Sequence, residues 1–116
     1  MLTLSLYFEI MWKIQFENAK AQAEVEKLIK IGRISKADEE VLAAWVRQIS
    51  LYGPESIRAD KKWADHDLVE DWLGYRSSSF SVRGRIIYRI EENVVIIKIA
   101  RITDVHDYRK GKTHED

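Results

Sequence analysis

GRIIYRIEENVVIIKIARI, residues 84–102, contains two runs of β-branched residues separated by a short polar turn. The runs predict strands at 85–90 and 94–102, and a further strand is predicted upstream at 72–82. Between the strands at 72–82 and 85–90, Arg83-Gly84 predicts a two-residue turn. Because short turns connect antiparallel neighbours, the three strands predict an antiparallel meander.

The two-residue turn also predicts which side chains share a face of the sheet. Arg76 would lie on the same face as Arg85 and Arg89, and Lys98 would join them from the last strand. The opposite face, carrying Ile86, Tyr88 and Ile90, would be covered by helices. The same register points Ser77, Ser79 and Ser81 inward.

The first sixteen residues alternate apolar and polar side chains, from Leu2 to Phe16. A period of two predicts one long strand with one buried face. Met11 offers an alternative start, and we therefore assign residues 1–11 as an N-terminal strand extension. As an exposed strand, this extension is able to pair with another chain.

Two amphipathic helices are predicted between the first strand and the meander. The first follows the N-cap Asn18 and ends at Gly32, and the second follows Ser35, with Asp38 in a capping box, and ends at Gly53-Pro54. Residues 53–71 are predicted to form a polar connection. The order of elements predicts an α+β fold, in which an N-terminal strand, two helices and a three-stranded meander form one twisted sheet with both helices on one face.

The composition restricts the class of protein. A chain of 116 residues is long enough for one domain with a buried core, which we assign to residues 12–110, followed by a flexible charged tail at 111–116. The absence of cysteine excludes disulfides, a thiolate nucleophile and cysteine-ligated zinc. Apolar runs are too short to span a bilayer, and the first residues lack the features of a signal peptide. We therefore expect a cytoplasmic protein that has no membrane partner.

Charge is distributed unevenly, although the net charge is zero. Between Trp72 and Lys112, nine basic residues accompany four acidic residues, a net charge of +5, so the rest of the chain carries −5. A basic half of this kind predicts an anionic partner.

Histidines are the candidate proton-transfer groups of this chain. The chain has three, at positions 66, 106 and 114, and the first two flank the predicted strands. An imidazole, with an ordinary pKa of about 6.5, moves protons at neutral pH. Together with cations that bind a phosphate, two proton-transfer groups are sufficient to cleave RNA through its 2′-hydroxyl. This chemistry requires no cofactor and no metal ion, and we expect neither.

Four motifs resemble the RelE/ParE superfamily of bacterial toxins, especially its YafQ-like branch. They are Asp65-His66-x-Leu68, Trp72-x-Gly74-Tyr75-Arg76, Arg85-Ile86-Ile87-Tyr88-Arg89-Ile90 and His106-Asp107-Tyr108-Arg109. The resemblance spans residues 12–110, and its specific motifs lie in the C-terminal half. It implies a RelE-like fold and the toxin of a type II toxin–antitoxin pair. Such a toxin cuts mRNA on the ribosome, in contact with 16S rRNA, and is silenced by a cognate antitoxin in a hetero-oligomer.

The resemblance also implies roles for individual residues. The candidate catalytic residues are His66, Arg76, Arg85, His106 and Tyr108: Arg76 as a general base or phosphate ligand, Arg85 as a phosphate clamp, and the others in proton transfer or base stacking. The candidate RNA-phosphate ligands are Arg83, Arg89, Lys98, Arg101 and Arg109. Ser78, Ser79 and Arg83 depart from the family pattern, because relatives carry catalytic side chains there. These departures predict altered or attenuated activity.

Two alternatives remain open. A non-catalytic toxin, as in the ParE branch, would poison DNA gyrase without cutting RNA. A remnant without toxicity would still bind its antitoxin through the exposed N-terminal strand.

Overall fold

The computed structural model describes residues 12–102, which form an α+β fold. The helices are α1 (Ala19–Lys30), α2 (Lys36–Tyr52) and α3 (Pro54–Ala59), and 3₁₀ turns occupy Lys61–Trp63 and Glu70–Trp72. The strands are β1 (Lys13–Phe16), β2 (His66–Asp67), β3 (Arg76–Ser79), β4 (Gly84–Glu91) and β5 (Val94–Ile102). The predicted order of a strand, two helices and a three-stranded meander is confirmed, and α3 and β2 are additions to it.

Within residues 12–102 the strands form a five-stranded sheet in the order β1-β5-β4-β3-β2. β1 is parallel to β5, with Phe16 opposite Ile97. All other neighbours are antiparallel, so the predicted meander of β3, β4 and β5 is confirmed. The first and last strands of the described chain are thus neighbours in the sheet.

Helices cover one face of the sheet, as predicted. Ile86 and Tyr88 of β4 and Val95 of β5 are fully buried and form one core with Trp45 and Ile49 of α2. The rings of Trp45 and Tyr88 meet edge to face with centroids 5.1 Å apart, a favoured geometry for aromatic pairs. We call this side of the sheet the helix face, and the opposite side the second face.

Capping residues set the starts of the first two helices. The Asn18 side chain accepts a hydrogen bond of 2.9 Å from the Ala21 amide at the start of α1. At the start of α2, Ser35 Oγ accepts from the Asp38 amide and Asp38 Oδ2 accepts from the Ser35 amide, both over 3.0 Å. The predicted N-caps are therefore confirmed.

Gly53 separates α2 from α3 in a tightly packed position. Its φ of 86° is a left-handed value that glycine adopts without strain. A Cβ atom on this residue would lie 2.8 Å from Trp12 Nε1. Both the backbone conformation and the contact with Trp12 therefore require glycine.

Residues 53–71 are more structured than the predicted polar connection. They contain α3 and β2, and the buried side chains Ile57 and Trp63 anchor them to the core. Trp72, which was predicted to begin a strand, instead ends the second 3₁₀ turn. β3 is therefore shorter than the predicted strand 72–82.

The turn between β3 and β4 also differs from the prediction. The Phe80 amide donates to the Gly84 carbonyl oxygen over 3.0 Å, so the loop consists of the three residues 81–83. The prediction placed a two-residue loop at Arg83-Gly84. The predicted loop would pair Arg76 with Glu91, whereas the observed loop pairs it with Tyr88. Because this shift of three residues is odd, it exchanges the two faces of one strand.

This shift changes where the side chains of β3 point. Arg76 lies opposite Tyr88, and Ser78 lies opposite Ile86, so both are on the helix face. Ser77 and Ser79 are on the second face. The predicted faces of β3 were wrong, whereas those of β4 were right.

Candidate functional site

Arg76 and Asp65 form a buried ion pair on the helix face. Arg76 Nε and Nη2 donate to Asp65 Oδ1 over 3.1 and 2.8 Å, and the two side chains are 8% and 0% exposed. Arg76 also donates to Glu55 Oε2 over 3.2 Å and to the Pro54 carbonyl oxygen over 3.0 Å. The Arg76 guanidinium therefore donates hydrogen bonds to the chain segment that precedes β3.

Asp65 is the centre of a wider polar cluster. Ser78 Oγ donates to Asp65 Oδ2 over 2.6 Å, and Tyr88 OH donates to the same oxygen over 2.5 Å. Ser78 Oγ in turn accepts from Trp45 Nε1 over 3.0 Å. Burial and then the hydrogen bond to Asp65 raise the pKa of Tyr88 well above its ordinary value. We call Asp65, Arg76, Ser78 and Tyr88 the Asp65 cluster.

The contacts of the Asp65 cluster are those of a group that stabilises the fold. A charge buried in a protein core requires a paired charge and hydrogen bonds, and Arg76 supplies both to Asp65. The predicted position of Arg76 beside Arg85 on the second face was wrong. Its catalytic role stays a prediction, and the contacts give Arg76 a sufficient reason to be present without it.

His66 begins β2 at the edge of the sheet and is exposed. It lies opposite Ser77 and therefore on the second face. Its Nδ1 is 2.9 Å from the carbonyl oxygen of Ala64, and because a carbonyl oxygen only accepts, Nδ1 must carry the proton. In the neutral ring the lone pair is then on Nε2, which is the arrangement of a general base.

Cross-strand neighbours connect His66 with two arginines on the second face. Ser79, two residues beyond Ser77, lies opposite Arg85, and Arg85 lies opposite Arg101 of β5. Strands about 4.8 Å apart and a rise of about 3.3 Å per residue place the Cα atoms of His66 and Arg85 about 12 Å apart. His66 and Arg85 therefore lie on the same face of the sheet, on the two strands that flank β3.

The loop after β3 orients Arg85. Its Nη1 donates to the carbonyl oxygens of Ser81, Val82 and Gly84 over 3.3, 3.3 and 2.9 Å. Arg83, in the same loop, is exposed. Together with Arg101, these arginines concentrate positive charge at this end of the sheet, which favours an anionic ligand.

Two further cations of the second face, Arg89 and Lys98, are paired with carboxylates. Glu17, directly after β1, accepts hydrogen bonds from Arg89 Nη1 over 2.6 Å and from Lys98 Nζ over 3.1 Å. Arg89 Nε also donates to Glu91 over 2.9 Å. Burial by itself raises the pKa of Glu17, but hydrogen bonds from Lys98 and Arg89 outweigh it and hold the pKa below its ordinary value. Arg89 and Lys98 share a face, as predicted, but Glu17 and Glu91 offset their charge.

Several predicted site residues are thus separated. The structure brings His66, Arg85 and Arg101 to one face and places Arg76 on the other. His106, Tyr108 and Arg109 lie outside the described residues, as do the extension 1–11 and the tail 111–116.

Sequence reasoning missed Asp65 and Glu17. Asp65 had a signal, since it stands beside His66 in the quoted motif, but no role was assigned to it. Glu17 had no local signal, because its partners Arg89 and Lys98 are 72 and 81 residues away along the chain.

Comparison with known proteins rests on structure. No protein-family model and no curated protein matches the chain. The YoeB–YefM toxin–antitoxin heterotetramer from Staphylococcus aureus aligns with a TM-score of 0.59 at 16% identity, covering 78% of this chain and 94% of that one. The DinJ–YafQ toxin–antitoxin complex from E. coli aligns with a TM-score of 0.61 at 15% identity, covering 79% and 92%. A copper-bound mutant toxin from Helicobacter pylori gives 0.61 at 18% identity, covering 79% and 94%.

This is the RelE-like toxin fold. The sequence motifs predicted it, and the alignment over most of each chain confirms it. Within this RelE-like fold, the second face carries His66 and Arg85, and the helix face carries the Asp65 cluster. Within residues 12–102, each helix is too short or too polar to cross a membrane.

Proposed function

We propose that this protein is the toxin of a type II toxin–antitoxin pair and that it cuts mRNA on the ribosome. The observation that carries the proposal is the presence of His66 and Arg85 on one face of a RelE-like fold. Structures with this fold include toxins in complex with antitoxins. A proton-transfer group and a phosphate-binding cation on a rigid sheet are the minimum for metal-independent RNA cleavage.

The reaction starts at the ribose 2′-hydroxyl next to the phosphate to be cut. Nε2 of His66 accepts the hydroxyl proton while the 2′-oxygen forms a bond to phosphorus. Arg85, with Arg101 beside it, stabilises the negative charge that develops on the phosphoryl oxygens. The bond from phosphorus to the 5′-oxygen then breaks, and His106 or Tyr108 donates a proton to that oxygen. The products are a 2′,3′-cyclic phosphate and a 5′-hydroxyl.

The proposed partners follow from this role. They are mRNA on the ribosome, 16S rRNA and a cognate antitoxin that silences the toxin in a hetero-oligomer, and the site of action is the cytoplasm. The candidate contacts to RNA phosphates are Arg83, Arg89, Lys98, Arg101 and Arg109. For Arg89 and Lys98, such a contact would compete with Glu17, which already binds both.

Induced expression in bacteria tests the proposal. We expect growth arrest and cut mRNA, mapped by primer extension, and we expect His66→Ala, Arg85→Ala and His106→Ala each to relieve both effects. Arg47→Ala is the matched control, because it removes an exposed arginine from α2 and should leave toxicity unchanged. Purified protein mixed with mRNA, with and without ribosomes, measures ribosome dependence. Growth arrest that persists in His66→Ala and Arg85→Ala would contradict the catalytic assignment.

A non-catalytic toxin is the alternative. It is favoured by the pairing of Arg76 with Asp65 and by the pairing of two further cations with Glu17, which leaves fewer positive charges for a substrate. This alternative predicts gyrase inhibition with intact mRNA, as measured by DNA supercoiling and primer extension on the same cultures.

A further inference from the structure

The residue two positions before His66 has an unusual local geometry. Ala64 ends the 3₁₀ turn at φ 48° and ψ 40°, a left-handed conformation in a residue that carries a side chain. This conformation is unfavourable for an L-residue and persists where the surrounding structure holds it. The Ala64 carbonyl oxygen is the acceptor for His66 Nδ1 at 2.9 Å.

Asp65 anchors this turn to the rest of the structure. Its buried carboxylate accepts hydrogen bonds from Arg76 and Ser78 of β3 and from Tyr88 of β4. Arg58 Nε of α3 lies 3.6 Å from it as well. Side chains from three elements therefore fix the backbone between the left-handed residue and the histidine.

We propose that Asp65 is a positioning residue for His66, an inference that rests on the proposed ribonuclease function. By anchoring the turn, Asp65 keeps the Ala64 carbonyl aligned with Nδ1. That hydrogen bond holds the neutral imidazole in the tautomer with its lone pair on Nε2, and it fixes the ring plane because rotation of the ring breaks the bond. Asp65 is buried and acts on the reaction through His66.

Such a role affects the chemical step more than RNA binding. A misaligned base lowers kcat by about ten- to a hundredfold, while KM stays within about twofold. Combining Asp65→Asn with His66→Ala should lower kcat no further than His66→Ala does alone. A further loss in the double variant would show that Asp65 acts independently of His66 and would overturn the proposal.

Imidazole nitrogen–proton correlation spectra, recorded where His66 is neutral, report the tautomer directly. We expect the wild-type protein to show the Nδ1–H form and Asp65→Asn to show both forms. Asp67→Asn is the matched control, because it removes a carboxylate that is 70% exposed one residue beyond His66, and it should keep the wild-type spectrum. Ala64→Gly keeps the carbonyl and suits the left-handed φ, so it should keep the spectrum too. A wild-type spectrum in folded Asp65→Asn would overturn the proposal.

Tyr88→Phe provides the test if Asp65→Asn does not fold. This substitution removes one donor to Asp65 and leaves the ring in the core. We expect the second tautomer of His66 to appear, to a smaller extent than in Asp65→Asn, and an unchanged spectrum in folded Tyr88→Phe would overturn the proposal. If the wild-type protein does not cut RNA, the proposed function fails, while the spectra still decide whether Asp65 positions His66.

Discussion

Replacing Arg76 with alanine separates a structural role of this side chain from a catalytic one. Arg76 donates two hydrogen bonds to Asp65, whose side chain is 0% exposed. Removing one partner of a buried ion pair costs about 3–5 kcal/mol of folding free energy, because the other charge stays buried without it. Arg58 Nε remains 3.6 Å from Asp65 Oδ1. We therefore expect the lower end of this range, about 3 kcal/mol.

A loss of this size produces a large change in melting temperature. An unfolding entropy of about 2.1 cal/mol/K per residue gives about 0.24 kcal/mol/K for a chain of 116 residues. The melting temperature of Arg76→Ala should therefore fall by about 12 °C. Calorimetry measures the melting temperature, and denaturant unfolding measures the free energy, of the purified protein.

The control for Arg76→Ala is Arg85→Ala, which removes the same side chain from the second face. Arg85 Nη1 donates to backbone carbonyl oxygens of residues 81, 82 and 84, and the loss of such hydrogen bonds at a partly exposed side chain should cost about 1 kcal/mol. The reasoning is refuted if Arg76→Ala melts within about 4 °C of the wild-type protein, which corresponds to about 1 kcal/mol. Loss of RNA cleavage at such an unchanged melting temperature would support a catalytic Arg76.

Three further predictions follow from other contacts. Glu17→Gln removes the carboxylate that pairs with Arg89 and Lys98. If these two cations bind RNA phosphates, fluorescence anisotropy with single-stranded RNA should give tighter binding, and the slope of log binding constant against log salt concentration should be steeper by about 1.4. An unchanged slope would exclude them as phosphate ligands. Because the folded pKa of Tyr88 is raised, its contribution to stability is complete below the unfolded pKa of about 10 and declines by about 1.4 kcal/mol per pH unit above it; denaturant unfolding of Tyr88→Phe should lack this component. Gly53→Ala brings a Cβ to 2.8 Å from Trp12 Nε1. It should cost about 1–3 kcal/mol of folding free energy beyond the cost of Gly32→Ala, because Gly32 shares the left-handed φ but a Cβ there would have no atom within 4 Å. Equal melting temperatures for the two variants would contradict the packing argument.

Local patterns were sufficient for the first strand, the first two helices and the meander, and for their order, but not for α3 and β2. The alternation in 12–16, the β-branched runs in 84–102 and the caps Asn18 and Ser35 depend on residues a few positions apart. Backbone geometry and side-chain hydration act over the same short range, so β1, β3, β4, β5 and the first two helices could be predicted. The motifs of the C-terminal half added the RelE-like fold.

The faces of the sheet required longer-range information. The faces of β3 depend on whether its loop has two or three residues, and the hydrogen bond from Phe80 to Gly84 decides this. The sequence Ser81-Val82-Arg83-Gly84 is compatible with both loop lengths. The prediction therefore placed Arg76 on the wrong face, although its strand was correctly located.

The sequence by itself determined the first strand, the first two helices, the meander and the number of charged groups, including the basic half with its net charge of +5. Tertiary structure alone decided which charges meet, because electrostatic interaction depends on distance and burial, and the chain separations of such pairs reach 81 residues, for Glu17 and Lys98. It made Arg76 part of a buried ion pair with Asp65, and it brought His66 and Arg85 to one face of the sheet.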